Sequence, residues 1–410
     1  MKKALSLALL SAITFKFCGK RAVIEFQPSH PEELNSFGDW CRNPELLTSE
    51  ARYTFSLLLR ETETNDCDRA ESQLNNLTKL KLNGNQIEDI TPLAKLTHLR
   101  ELELSNNRIK DVTPLANLTN LNELWLSTNR IEDITPLANL TNLKKLGLSR
   151  NRLKYITPLV SLTHLNELWL KDNQIEDVTP LGSLINLTEL KLNGNQIEEV
   201  TPLTHLTNLI SLKLNENQIE EVAPLANLTN LETLTLKENQ IKDVSPLASL
   251  TNLAKLELEA NQIEDVTPLA NLTNLNELRL SFNQIEDVTP LAKLTNLKWL
   301  GLSANQIEDV TPLVHLTNLI ELELSKNKIQ DVTPLANLTE LIWLGLGANQ
   351  IEDVTPLAHP NLTGLSELSL WGNPTIDRTC PRPHESLCQF DWPYVSTPLI
   401  RRRPYSNPPR

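Results

Sequence analysis

Pairs of neighbouring carboxylates recur along the chain, and they are the residues that could most readily do acid–base or metal chemistry. The pairs are Glu88-Asp89, Glu132-Asp133, Glu176-Asp177, Glu198-Glu199, Glu264-Asp265, Glu286-Asp287, Glu308-Asp309 and Glu352-Asp353. A catalytic dyad needs two carboxylates whose surroundings separate their pKa values, whereas these copies share one repeated context. We therefore interpret them as a solvated acidic edge. Weak divalent-cation binding is the alternative, although the spacing of a calcium loop is absent.

The remaining residues with catalytic or metal-binding potential form no known constellation. Five histidines lack the short spacings that gather metal ligands: His98, His164, His205, His315 and His359. Neither a GxSxG nor an HExxH motif is present. The sequence therefore predicts no catalytic residue, no metal site and no cofactor, and hence a protein that is not an enzyme.

Composition and charge exclude further classes of function. The 410 residues include 38 Lys and Arg against 51 Asp and Glu, and the net charge of −13 has the wrong sign for a nucleic-acid-binding surface. Aromatic residues make up 4% of the chain and methionine occurs once, so leucine and isoleucine must build the core. No apolar run reaches the roughly 20 residues that a membrane-spanning helix needs. We predict no nucleic-acid partner and no transmembrane span.

Residues 1–22 have the layout of a secretory signal. Lys2 and Lys3 precede an apolar stretch, residues 4–15, which is the order of charge and hydrophobicity found in signal peptides. We therefore predict a secreted, periplasmic or cell-surface protein. If the segment is not a working signal, the protein stays in the cytoplasm.

From residue 77 onward the chain repeats itself every 22 residues, with one late spacing of 24. The most regular mark is an asparagine, found at Asn85, Asn107, Asn129, Asn151, Asn173, Asn195, Asn217, Asn239, Asn261, Asn283, Asn305, Asn327, Asn349 and Asn373. Such a period indicates a solenoid, in which each unit buries its apolar face against its neighbours. A carboxamide can both donate to and accept from backbone groups that a turn leaves unpaired, so the series predicts a buried structural ladder.

One unit, residues 121–142, shows the expected local structure. Leu124-Trp125-Leu126 alternates inward and outward, which predicts a short strand with Trp125 facing outward at its centre. Stacked copies would form a parallel sheet. Thr135-Pro136-Leu137 predicts a tight 3₁₀ turn, with the threonine hydroxyl as its cap and proline at the first position, where no N–H is needed.

This unit resembles the 22-residue leucine-rich repeat of bacterial internalins, whose pattern LxxLxLxxNxIxDIxPLxxLxx covers about 300 of the 410 residues. The resemblance implies an α/β solenoid, namely a curved horseshoe of about 14 repeats with a parallel sheet on its concave side and 3₁₀ turns on its convex side. It also implies recognition of a partner protein.

Atypical segments at both ends of the array predict caps, which a solenoid needs to cover its apolar edges. Residues 48–59 predict a capped helix with Tyr53 on an apolar face that covers the first strand. We divide the chain into a signal segment at 1–22, an N-terminal cap with an amphipathic helix at 23–76, leucine-rich repeats at 77–372, a C-terminal cap at 373–392 and a Pro/Arg-rich disordered tail at 393–410.

Four of the five cysteines lie in the two caps, and the fifth, Cys18, lies in the predicted signal segment. Cys41 and Cys67 lie before the repeats, and Cys380 and Cys388 lie after them. This placement favours one disulfide in each cap, which agrees with an oxidising compartment. Free buried thiols are the alternative.

Five tryptophans interrupt the repeat at outward positions. Trp125 and Trp169 lie at strand centres, Trp299 and Trp343 lie two positions earlier, and Trp371 follows its strand. Folding alone gains little from an exposed indole. Glycines occupy neighbouring outward positions: Gly147, Gly301, Gly345 and Gly347. We predict a notch about 10 Å wide between two indoles at the first of these glycines, and open space beside the other tryptophans.

Two aromatic patches therefore form the predicted partner-binding site, composed of Trp125, Gly147, Trp169, Trp299, Gly301, Trp343, Gly345 and Trp371. The alternative is that the rings merely contact Lys171, Lys191 or Lys298 through cation–π interactions. The predicted function is a monomeric module that binds a protein on the concave face. Glycan binding through exposed tryptophans and a passive structural or spacer role are the competing hypotheses.

Overall fold

The computed structural model of this chain describes residues 36–358, 360, 362–374, 380 and 387–391. The predicted signal segment at 1–22 and the predicted tail at 393–410 lie outside these ranges. Among the described residues, no helix combines the length and the apolar character needed to cross a bilayer.

A single parallel sheet of fifteen short strands runs through the described part of the chain in sequence order. The strands are β1 Lys79–Lys81, β2 Glu101–Glu103, β3 Glu123–Trp125, β4 Lys145–Gly147, β5 Glu167–Trp169, β6 Glu189–Lys191, β7 Ser211–Lys213, β8 Thr233–Thr235, β9 Lys255–Glu257, β10 Glu277–Arg279, β11 Trp299–Gly301, β12 Glu321–Glu323, β13 Trp343–Gly345, β14 Glu367–Ser369 and β15 Cys388–Gln389. The predicted repeats supply β1 to β14, and the segment after them adds β15. Each strand starts one residue before the predicted position, so Trp125 ends β3 instead of occupying its centre.

Tight 3₁₀ turns on the other side of each repeat complete the solenoid. They span Thr91–Leu93, Thr113–Leu115, Thr135–Asn139, Thr157–Ser161, Thr179–Ser183, Thr201–His205, Ala223–Asn227, Ser245–Ser249, Thr267–Asn271, Thr289–Lys293, Thr311–His315, Thr333–Asn337 and Thr355–Ala358. Paired strands stand about 4.8 Å apart, and the turns need more width. The array is therefore curved, with the sheet on its concave face, as the resemblance to internalin repeats implied.

The core between sheet and turns is a stack of aliphatic layers. In the third repeat Leu124, Leu126, Ile131 and Leu137 are all completely buried, and the same positions are buried in the following repeats. Each side chain packs against its equivalents one repeat away. Burial of apolar area contributes roughly 25 cal/mol per Å² to stability. Because that area is buried between repeats, each repeat depends on its neighbours for its stability.

A row of asparagine side chains satisfies the backbone where each strand turns into the core. Asn239 is 8% exposed, and its Nδ2 donates to the carbonyl oxygens of Leu214 and Leu236, both at 3.0 Å. Its Oδ1 accepts the N–H of Ile219 at 3.0 Å. One asparagine thus joins two successive repeats. In the described part of the chain, the Asn85 side chain of the first repeat donates to a single acceptor, the Asn83 carbonyl, at 3.2 Å.

The sequence analysis missed a second asparagine row beside the 3₁₀ turns. Asn230 Nδ2 donates to the Thr207 carbonyl at 2.9 Å, and equivalent bonds join most neighbouring repeats. His164 occupies this position in its repeat, and its Nδ1 lies 2.9 Å from the Thr141 carbonyl oxygen. This histidine therefore replaces an asparagine of the scaffold.

Three helices precede the first strand: α1 Phe37–Arg42, α2 Ser49–Thr62 and α3 Cys67–Asn75. Thr48 caps α2, because its Oγ1 accepts the Ala51 N–H at 3.0 Å. Thr54 on α2 donates its hydroxyl to the Asp89 carbonyl of the first repeat at 2.6 Å. The predicted helix is present, but the expectation for Tyr53 was wrong. Its side chain is 46% exposed, because it points away from the face that packs on the solenoid.

Both predicted disulfides are present, one in each cap. Cys41 and Cys67 join α1 to α3 with a Cα–Cα distance of 5.6 Å. Cys380 and Cys388 are joined with a Cα–Cα distance of 5.7 Å, and Cys388 lies in β15. The second disulfide therefore ties the segment before β15 to that strand, and pairing with β14 joins β15 to the repeat sheet.

Candidate functional site

The concave face is formed by three rows of outward-facing side chains. The first row is defined by the initial residue of each strand and includes Trp299 and Trp343. The second row is the last residue of each strand and includes Trp125 and Trp169. The third row lies two residues further on and includes Trp371. Each strand residue pairs with the equivalent residue of the next repeat, so successive members of a row lie side by side across the sheet.

The first aromatic patch is made of Trp125 and Trp169, which meet above Gly147. Their ring centroids are 4.7 Å apart and the rings are inclined at 60°. A Cβ atom added to Gly147 would lie 2.5 Å from Cε3 of Trp125. The predicted notch at Gly147 was therefore wrong. The missing side chain gives the Trp125 ring room to lean over the backbone, where both indoles remove more apolar surface from water than they would standing apart.

Cations from the protein itself contact two of the indoles. The ammonium of Lys191 lies 3.5 Å from the ring centroid of Trp169, and the guanidinium of Arg279 lies 4.2 Å from that of Trp299. The cation–π alternative is thus realised at Lys191. Lys171 lies 3.7 Å from Asp172.

The second aromatic patch, defined as Trp299, Trp343 and Trp371, is also built on glycines. The rings of Trp299 and Trp343 lie above Gly301 and Gly345 of their own strands. The Trp371 ring lies above a glycine of the preceding repeat, Gly347. The expected open space beside these rings was wrong, because the rings themselves fill it. All five indoles are half-buried, and four of them, all except Trp169, lie against a glycine of the sheet.

A charge network separates the two patches in the neighbourhood of β9 and β10. Arg279 Nε lies 2.6 Å from Glu277, and the Lys255 ammonium lies 2.8 Å from Glu257 and 3.0 Å from Glu277. Burial opposes the charged form of Glu277, yet hydrogen bonds from Lys255 and Arg279 hold its pKa below the ordinary value. These side chains are mutually satisfied and hold Arg279 against Trp299.

Two charged side chains of the concave face lack such a partner. Glu323 is half-buried, and within the described residues no Lys, Arg or His nitrogen comes within 4.0 Å of its carboxylate. Burial raises its pKa, although the Ser325 N–H donates to it at 2.8 Å. Lys213 is likewise half-buried without an ion pair in the described part of the chain, and burial together with Lys191 lowers its pKa. The sequence analysis gave neither residue a role. Both residues could have been found from the strand register, because it shows which charged residues flank each outward position.

The recurrent acid pairs have a structural use that the sequence analysis missed. Asp133 Oδ1 accepts the N–H of Thr135, the first residue of the following 3₁₀ turn, at 2.8 Å, and a bond from the Thr135 hydroxyl lowers the Asp133 pKa. The same contact recurs at Asp89, Asp111, Asp177, Asp243, Asp265, Asp287, Asp309, Asp331 and Asp353. The aspartate, and not the predicted threonine hydroxyl, caps the turn. In the residues that the structure describes, no group of three or more acidic, His or Cys side chains is placed to hold a metal ion.

The repeats of this chain match a known protein family. The family model for leucine-rich repeats in two copies matches nine stretches, some of which overlap: 75–116, 97–139, 141–183, 185–227, 229–271, 251–293, 273–316, 295–337 and 317–359. A search of curated proteins finds no significant match.

Several solved structures of leucine-rich repeat proteins are similar to this chain. An internalin, InlF from Listeria monocytogenes, is 36% identical with a TM-score of 0.73, covering 78% of this chain and 94% of its own. A leucine-rich repeat protein from Leptospira interrogans is 27% identical with a TM-score of 0.68, covering 79% of this chain and 92% of its own. A plant peptide hormone receptor, solved in complex with RGF2, shares the fold alone at 20% identity and a TM-score of 0.61, covering 74% of this chain and 60% of its own.

Proposed function

The chain belongs to the bacterial, internalin-like class of leucine-rich repeat proteins, and on that basis we propose that it is a non-enzymatic module that binds a partner protein on the concave face of its solenoid. Leucine-rich repeat proteins of this type are protein-interaction modules. The specific contribution of this chain is the pair of aromatic patches, which we assign as the anchors of the interface.

The observation that carries the proposal is the seating of the indoles on glycines. Trp125 leans over Gly147 and contacts Trp169, so neither ring must be ordered when a partner arrives. Ordering a side chain at an interface costs about 0.5–1.5 kcal/mol, and a preorganised ring avoids most of that cost. Half-buried tryptophans with one supported face are the residues that most often dominate binding energy.

The separation of the two patches favours a folded protein over a simple sugar. Trp169 lies in β5 and Trp299 in β11, and six strand spacings correspond to about 29 Å along the sheet. A ligand that contacts both patches must span that distance and also face the charged residues between them. A small glycan can cover only one patch.

We also propose that the protein works outside the cytoplasm as a monomer, with residues 1–22 as its signal and the domain division predicted from the sequence. The two disulfides support the location, because such bonds persist in oxidising compartments. Each end of the sheet carries a cap segment, helical before β1 and disulfide-bonded at β15, which favours a closed monomer over end-to-end stacking.

The test is capture from a mixed pool of surface proteins and glycans by the immobilised full chain. The wild type is compared with a variant in which the five concave tryptophans are changed to serine. Tyr155→Ser is the matched control, since Tyr155 is an aromatic residue that is 78% exposed and lies outside the strands. Circular dichroism confirms beforehand that all three chains fold.

The proposal predicts a protein captured by the wild type and by Tyr155→Ser but not by the five-tryptophan variant. Prior protease treatment of the pool should abolish the capture. Capture that survives protease but is competed by simple sugars would replace the proposal with glycan binding. Equal capture by all three chains, or none by any, would overturn the aromatic anchors and favour a spacer role.

A further inference from the structure

The second aromatic patch contains two strand pairs with the same register and opposite charge. In the first pair, β10 and β11, Arg279 is paired with Gly301 and Glu277 is paired with Trp299. In the second pair, β12 and β13, Glu323 is paired with Gly345 and Glu321 is paired with Trp343. Glu323 thus holds beside Trp343 the position that Arg279 holds beside Trp299.

The first pair shows what the surface does with a cation. The Arg279 guanidinium lies 4.2 Å from the ring centroid of Trp299, while its Nε lies 2.6 Å from Glu277. The cation therefore gains from the negative face of an indole and from a carboxylate at once. Both partners are supplied by the protein itself.

In the second pair the indole and the carboxylate are present without the cation. A Cβ on Gly345 would lie 2.6 Å from Glu323 Oε1 and 2.6 Å from Cη2 of Trp343, so the carboxylate and the ring edge converge on one point above this glycine. Among the described residues no cation lies over the Trp343 ring or within 4.0 Å of Glu323. Lys326 attracts the Glu323 carboxylate through space, but its ammonium forms no ion pair with it.

We propose that Glu323 and Trp343 form a subsite for a basic side chain, arginine or lysine, presented by the partner protein. The inference rests on the proposed protein-binding function and assigns the chemistry of one contact within it. A half-buried carboxylate without a counter-ion is unfavourable in the free protein, and a cation that enters from the partner removes that penalty while it stacks on the indole.

The surrounding charges favour the same occupant. Glu321 is exposed and accepts the Trp299 Nε1–H at 3.0 Å, and Glu367 is exposed next to Trp343 in the first row. Three glutamates therefore neighbour Trp343 on the concave face. An anionic side chain would be repelled here, so charge complementarity selects a basic partner residue.

The test needs no identified partner. The probe is N-acetyl-arginine methylamide, titrated into the full chain labelled with ¹⁵N at the tryptophan indoles, and the readout is the chemical shift of the Trp343 N–H. Trp343→Phe assigns that signal. The neutral isostere N-acetyl-citrulline methylamide is the first control, and N-acetyl-lysine methylamide distinguishes a guanidinium from an ammonium.

We expect a saturable shift of the Trp343 signal with the arginine or lysine probe at millimolar concentration and none with the citrulline probe. Glu323→Gln should weaken this binding at least about fivefold, which corresponds to one exposed cation–π and ion-pair contact. Glu103→Gln is the matched control. Glu103 occupies the same row beside Trp125, but Lys81 already lies 2.6 Å from its carboxylate.

Equal binding of the citrulline probe, or unchanged binding by Glu323→Gln, would overturn the subsite. Neither result depends on the capture experiment. A positive titration combined with equal capture by the tryptophan variant would retain the cation subsite and reject the proposed function. A negative titration with selective capture would do the reverse.

Discussion

The rings of Trp125 and Trp169 meet above Gly147 with their centroids 4.7 Å apart. Because Gly147 has no side chain, the Trp125 ring can lie over it, and there it contacts Trp169. Trp125 lies in β3 and Trp169 in β5, with β4 between them. Their contact across β4 therefore forms one continuous aromatic surface. The proposed interface depends on this arrangement, which makes Gly147 as important to it as the indoles.

Gly147→Ala should disturb the first aromatic patch without unfolding the solenoid. The new Cβ would lie 2.5 Å from Trp125 Cε3, so the ring must move. We expect a loss of about 1–3 kcal/mol in unfolding free energy, with a changed near-ultraviolet circular dichroism spectrum. Gly364→Ala is the control, because the nearest atom to its Cβ would lie at an ordinary 3.4 Å. Identical spectra for Gly147→Ala and wild type would contradict the packing described here.

The asparagine ladder should matter more inside the array than at its start. Asn239→Ala removes one of the two asparagine donors to each of the Leu214 and Leu236 carbonyls. It also leaves the buried Ile219 N–H without its side-chain acceptor, and we expect a cost of about 1–3 kcal/mol in unfolding free energy. Asn85→Ala removes a single side-chain bond near the surface and should cost less than about 1 kcal/mol. Urea denaturation of both variants measures the difference, and equal losses would argue against a stabilising ladder.

Glu323→Gln should not destabilise the protein at neutral pH. Burial raises the pKa of Glu323, so the folded state binds this proton more tightly than the unfolded state and its stability falls as pH rises through that pKa. Glutamine keeps an oxygen that can accept the Ser325 N–H. The variant should therefore equal or exceed the wild type in stability at pH 7, and its advantage should shrink towards pH 4. Denaturation curves at the two pH values test this, and an advantage that grows on acidification would contradict it.

Removal of the Cys41–Cys67 disulfide should loosen the N-terminal cap locally. The bond closes a segment with a sequence separation of 26, for which loop entropy gives about 3.5 kcal/mol. In a solenoid each repeat contacts only its neighbours, so the loss should concentrate near β1. Hydrogen exchange of Cys41→Ser/Cys67→Ser should therefore quicken at β1 and β2 and stay unchanged at β7 and β8. Uniform acceleration along the sheet would show that the cap acts globally.

The regular part of the fold follows from the sequence because the repeat constrains every position in the same way. Leu124 and Leu126 are buried in the third repeat for the same reason as their equivalents elsewhere, and a period of 22 residues leaves room only for a short strand and a tight turn. The cap of that turn was harder to predict. Both Thr135 and Asp133 carry suitable oxygens, and only the backbone geometry selects the aspartate.

The candidate site follows from the sequence only in part. The outward position of each tryptophan is set by strand alternation, but the direction in which its ring leans depends on which neighbour lacks a side chain. Trp125 leans over a glycine of the next strand, whereas Trp299 leans over Gly301 of its own strand. Similarly, Glu323 became notable only when the register placed it where Arg279 stands beside the earlier indole.

The most direct test of the central claim is the dissociation constant of the captured partner protein for Trp125→Ser/Trp169→Ser, measured by calorimetry against wild type and Tyr155→Ser. If the first aromatic patch anchors the interface, the double variant should bind at least about 100-fold more weakly, in the range of hot-spot losses, while Tyr155→Ser binds as wild type does. Affinity of the double variant within about twofold of wild type would contradict the assignment of the concave indoles as anchors.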